Sequence, residues 1–95
     1  MTRQIILQCD YGSDPLWDAD DQMIKADRLP LSRPLINRLR AWAAVYDGLM
    51  KTGFAWKNRD AYDAFILEGR NLLPLVQAEL GEDHEVELRE EPWED

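Results

Sequence analysis

Six aspartates crowd into a short stretch near the start of the chain: Asp10, Asp14, Asp18, Asp20, Asp21 and Asp27. Carboxylates at alternating spacing on a loop are the ligands of a hard divalent cation, which takes roughly six to eight oxygens. The spacing fails the EF-hand pattern, however. Counted from Asp18, the glycine position falls on Met23 and the closing glutamate on Leu29. The expectation is therefore no metal and no cofactor. The same cluster encloses Trp17, with Tyr11 just ahead of it, which allows a second chemistry. Aromatic rings supply contact area that sheds water, and surrounding acids steer a cationic partner into place. Tyr11, Asp14, Trp17, Asp18, Asp20 and Asp21 are the candidate partner-binding residues. Two plainer readings stand beside this one, in which the acids serve solubility and Trp17 folds back as a lid on the core.

His84 is the one histidine and Cys9 the one cysteine. If their strands pair, His84 could lie beside Cys9 or Asp10 and activate the thiol. The ordinary alternative is an inert core cysteine and a partly buried strand histidine. The chain has no glycine-rich phosphate loop, no Ser-His-acid set and no paired metal-ligand motif, so it offers no catalytic residues and reads as a non-enzyme.

Asp and Glu outnumber Lys and Arg by 19 to 11, a net charge of −8 that repels phosphate backbones and anionic headgroups. This argues against nucleic acid and membrane surfaces and for a protein partner with a basic face. A lone cysteine forms no intrachain disulfide and suits a reducing compartment. With no apolar run of about 18–20 residues and no signal-peptide pattern at the N-terminus, the expected location is the cytoplasm. Four Trp, three Tyr and two Phe among 95 residues give enough apolar bulk for one folded domain over residues 1–95. Residues 91–95 are expected to form a disordered acidic tail.

These side chains need elements to position them. Ser32 to Lys51 is the clearest: Leu35, Leu39, Trp42, Tyr46 and Leu49 recur at helical spacing, and Ile36, Ala43 and Met50 widen the stripe. Ser32 is placed to cap this helix, Pro34 sits in its first turn and Gly53 can end it. Arg33, Arg38, Arg40 and Lys51 fall on its solvent side. A second helix follows, with Asn58 as its cap, a stripe from Tyr62 to Leu80, Gly69 marking a close crossing with the first helix, and Gly81 at the end. Pro74 should kink that helix near Arg70 or break it there. Between the helices, Phe54 and Trp56 are expected to pin the connection onto the core.

Arg3 to Asp10 alternates as a strand with Ile5, Leu7 and Cys9 on the dry face, and His84 to Glu90 alternates as another. Leu16 to Pro30 follows neither period for long and reads as a loop holding at most a short helical turn or extended piece. The order is strand, long loop, helix, helix, strand: an α/β (α+β) domain with two helices packed on a small two- or three-stranded sheet. Whether the terminal strands pair parallel or antiparallel stays open, and so does monomer or homodimer.

Cys9 to Asp18 (CDYGSDPLWD), Leu29 to Ser32 (LPLS), Arg38 to Ala43 (RLRAWA) and Glu68 to Gly81 (EGRNLLPLVQAELG) resemble a set of small uncharacterised acidic bacterial proteins. In size, acidity and lack of catalytic sets the chain is also similar in type to immunity proteins that neutralise basic toxins. That likeness of type implies inhibition by binding and carries over no residue roles. Its alternative is a self-associating structural or regulatory domain burying Trp56 or Trp93.

Overall fold

The computed structural model describes residues 2–93. Its regular elements are β1 (Arg3–Leu7), β2 (Leu16–Trp17), α1 (Arg33–Asp47), α2 (Arg59–Leu80) and β3 (His84–Leu88). Both helices pack on a three-stranded sheet of order β2-β1-β3. β1 and β3 run parallel, with Ile5 opposite Val86 and Leu7 opposite Leu88. Parallel neighbours cannot be joined by a tight turn, so α1 and α2 together form the crossover between the strands. β2 adds to the other side of β1 in antiparallel sense, pairing Leu7 with Leu16.

The caps follow from local chemistry. Ser32 accepts a hydrogen bond from the Leu35 N–H at the start of α1, and Asn58 accepts one from the Ala61 N–H at the start of α2. Glu79 in the last turn of α2 accepts from both the N–H and the hydroxyl of Ser32, which fixes the α1 cap to the far end of the other helix. Leu39, Leu72, Val76, Ile5, Leu7 and Leu16 are wholly buried where sheet and helices meet. At about 1.5–3 kcal/mol per fully buried large aliphatic side chain, this layer is what the amphipathic pattern contributes.

At Gly69 a side chain of α1 packs directly against the α2 backbone. A Cβ there would lie 2.7 Å from Trp42 Cζ2, so only glycine lets the indole lie against α2. The indole is then held from two sides: its Nε1–H donates to the Phe65 carbonyl at 2.9 Å, and it stacks on the Phe65 ring with centroids 5.0 Å apart.

Several local expectations are corrected. α1 ends at Asp47, and the chain tightens into a 3₁₀ turn over Gly48–Thr52. The tighter turn rotates Met50 out of the stripe and leaves it half exposed. α2 runs through Pro74 without a break. Pro74 lies on the exposed side of the helix, where solvent can satisfy the Arg70 carbonyl left without its amide partner, while buried Leu72 and Val76 hold the next turn in place. Phe54 does not pin the connection between the helices, being 65% exposed; Trp56 does pack on the core. Within Leu16 to Pro30 the short extended piece is β2, which joins the sheet and turns back as a hairpin, with the Ile24 N–H donating to the Leu16 carbonyl at 2.8 Å and Trp17 bridging Met23. The short helical turn is a 3₁₀ turn over Ala26–Arg28.

The end of the chain is described as far as Trp93. The Glu91 carboxylate accepts from the Tyr46 hydroxyl at 2.6 Å, the Tyr62 hydroxyl donates to the Glu91 carbonyl, and Trp93 lies against the Tyr62 ring. Of the stretch expected to be a disordered tail, residues 94 and 95 lie outside the described residues.

Candidate functional site

The hairpin gives the acidic stretch a defined shape. Asp18 Oδ1 sits inside its turn, accepting from the Asp20 N–H at 2.8 Å and the Gln22 N–H at 3.0 Å, while the Asp18 N–H closes the turn onto the Gln22 carbonyl. Asp21 takes the left-handed conformation, φ 60°, which aspartate tolerates because its short side chain bonds locally. The turn is thus held by the Asp18 carboxylate.

These acids fall into two groups. Asp14 faces inward: its carboxylate accepts from the Ala26 N–H at 2.9 Å and from the Arg40 guanidinium at 3.2 Å, so it ties the hairpin to α1. Burial by itself would raise the Asp14 carboxyl, but the Arg40 and Ala26 hydrogen bonds and the Arg40 charge hold it below its ordinary value. Arg40, placed among the solvated arginines by the sequence pattern, thus has a structural duty, and Asp27 lies 3.9 Å from it. The outer group is Asp18, Asp20 and Asp21. Asp21 meets Arg89, beyond the end of β3, at 3.4 Å across exposed surface, a pairing worth little. Asp20 is exposed, and among the described residues its carboxylate has no protein partner.

Trp17 is both packed and accessible. Its indole N–H donates to the Gln8 carbonyl at 2.8 Å, and the half-buried ring borders a surface depression of about 380 Å³ shared with Gln8, Asp10, Asp21 and Arg89. Trp17, Asp18, Asp20 and Asp21 therefore share one end of the molecule. Tyr11 belongs elsewhere, stacked on Tyr46 of α1 with centroids 4.7 Å apart and in edge contact with Phe54 at 5.4 Å. Sequence reasoning missed Arg40 and Arg89 as counter-charges, since only the tertiary fold brings them to the aspartates. It also missed Phe54 as a surface aromatic, although the glycine before it was a cue.

The thiol chemistry does not assemble. In the parallel register His84 lies opposite Arg3, at the start of β1, whereas Cys9 follows the end of that strand. The His84 ring nitrogen Nδ1 lies 3.2 Å from the Leu80 carbonyl at the end of α2 instead. Burial, with the nearby Asp47 and Glu91 charges, pushes the Cys9 thiol far above its ordinary range, which opposes formation of a thiolate. Among the described residues no three of His, Cys, Asp and Glu are grouped to hold a metal ion, and no helix is long and apolar enough to cross a membrane.

No curated protein matches the chain. The model of one protein family does, over residues 3–91, a span that includes both helices and every strand. On that match the chain belongs to the Serratia CdiI immunity protein-like family.

Proposed function

We propose that this protein neutralises a toxin by binding it, without catalysis of its own, and that a cationic face of the toxin meets Trp17 and the turn from Asp18 to Gln22. The observation that carries the reading is the match to an immunity protein-like family over residues 3–91. The surface assignment is supported by the way the turn is built. Asp18 spends its carboxylate rigidifying it, so Asp20 and Asp21 are presented at little further ordering cost, and the net charge of −8 steers a cationic partner toward the protein. The exposed edge of Trp17 supplies the area that loses water. Asp14 supports the site from behind through Arg40, whereas Tyr11, stacked on Tyr46, lies outside it. The reading places the protein in the cytoplasm, where a single buried Cys9 stays reduced.

The test is capture from lysate of the source cell on the immobilised protein at low and high salt, beside an Asp20→Asn/Asp21→Asn variant. The reading expects a basic protein held at low salt, released at high salt and held less well by the variant. Capture that is indifferent to salt and to the variant would refute the surface assignment.

A further inference from the structure

A second surface lies away from the acidic turn. Loop residues after β1, the connection between α1 and α2, and the chain after β3 meet around a groove of about 690 Å³. Tyr11, Phe54, Trp56 and Trp93 wall it, and Glu91 is the one charged residue on its lining. Phe54 is held there at a cost to the backbone. Its φ is +64°, a genuine outlier for a bulky side chain, and its N–H is fixed on the Leu49 carbonyl at 2.7 Å. The ring so presented is 65% exposed and touches Tyr11 edge-on, so core packing does not account for that cost. Aromatic rings and one carboxylate make a negative lining, and one of those rings already attracts a cation: the Arg59 guanidinium lies 5.0 Å from the Trp93 centroid.

We propose that this groove receives a lysine or arginine side chain of the toxin, its aliphatic stem against Phe54 and Trp56 and its charged head toward Glu91. The inference rests on the toxin-binding reading above and adds a second contact to it. Charge complementarity selects this occupant. A second copy of the chain would bring another net −8 to the same place, and a purely apolar segment would leave Glu91 to lose water without a counter-charge.

The four tryptophans make the full-length protein its own reporter, because each indole N–H gives one NMR signal. Nα-acetyl-argininamide is titrated against neutral Nα-acetyl-norleucinamide, which has a similar stem and no charge. The proposal expects saturable shifts at Trp56 and Trp93, with the neutral probe about 2- to 5-fold weaker, as an exposed cation–π contact gives. Glu91→Gln and Phe54→Gly should each weaken the arginine probe, and Phe54→Gly should leave the melting temperature unchanged or raised, because glycine adopts the positive φ without strain. No shift, equal binding of both probes, shifts confined to Trp17, or shifts with protein concentration alone would overturn it. The two readings fail separately. A toxin bound equally well by Phe54→Gly defeats the groove and leaves toxin binding standing, whereas failure to capture any toxin leaves the probe titration as an independent test of the groove.

Discussion

Replacing Gly69 with alanine separates helix propensity from packing, because here the two have opposite signs. Alanine in a helix interior gains about 1 kcal/mol over glycine. At this position the added methyl would start 2.7 Å from Trp42 Cζ2 and 3.3 Å from Leu88 Cδ1. The indole cannot readily yield, being 4% exposed, stacked on Phe65 and hydrogen-bonded to the Phe65 carbonyl. Overpacking of this kind costs about 1–3 kcal/mol. The net expectation for Gly69→Ala is a loss of about 1 kcal/mol, or a melting temperature lower by roughly 4–8 °C in a domain of this size. In a Trp42→Phe background the smaller ring removes the conflict, so the same substitution should turn neutral or stabilising by up to about 1 kcal/mol. Chemical and thermal denaturation followed by circular dichroism measure all four corners of the cycle. A higher melting temperature for Gly69→Ala in the native background would refute the close crossing.

Three further outcomes follow from the same geometry. Cys9 should resist thiol reagents at mildly alkaline pH while the protein is folded and react at once in denaturant, because burial disfavours its thiolate; rapid labelling of the folded protein would contradict this. The Asp14 carboxyl is lowered from its ordinary value of 3.8 in the fold, so the stability it contributes is present above that value and lost as pH falls through the folded one. Glu68, through its Arg38 hydrogen bond, and Glu90, through its Arg70 hydrogen bond, are lowered as well, so acid titration of Asp14→Asn should show a shallower loss of stability and not its disappearance. Gln77 donates to the Gly81 and His84 carbonyls and accepts from the Val86 N–H, so Gln77→Ala should cost about 1–3 kcal/mol and speed hydrogen exchange at the Val86 amide, both read directly by denaturation and NMR.

What the sequence disclosed was mostly local. Ser32 and Asn58 cap their helices because a short polar side chain before an apolar period has few other uses, and Gly69 on an apolar stripe marks a crossing because only a missing Cβ explains it there. The two-helix, small-sheet architecture followed from those periods. Strand direction did not, since parallel and antiparallel strands of this length share one alternating pattern, and that direction is what removes His84 from Cys9. Of the two outcomes expected at Pro74, the break does not occur, because propensity treats a helix as isolated while the buried residues on either side hold this one in the fold. In the acidic stretch the residue types were legible and their duties were not. Arg40 and Arg89 come from distant segments, and only their placement shows that Asp14 is structural and Asp20 unspent. The aromatic groove was harder still, being assembled from three separate pieces of chain. The likeness in type to immunity proteins, read from size and acidity, agrees with the family to which the chain belongs.

Protection of a growing cell is the property on which toxin neutralisation stands or falls. The basic protein captured at low salt is expressed under an inducible promoter in a host that lacks this chain, alone and then with the wild-type chain or the Asp20→Asn/Asp21→Asn variant at matched levels. The account predicts that growth stops with the captured protein alone, resumes with the wild-type chain and resumes less fully with the variant. Growth that continues without this chain, or an arrest that the wild-type chain does not relieve, would contradict it.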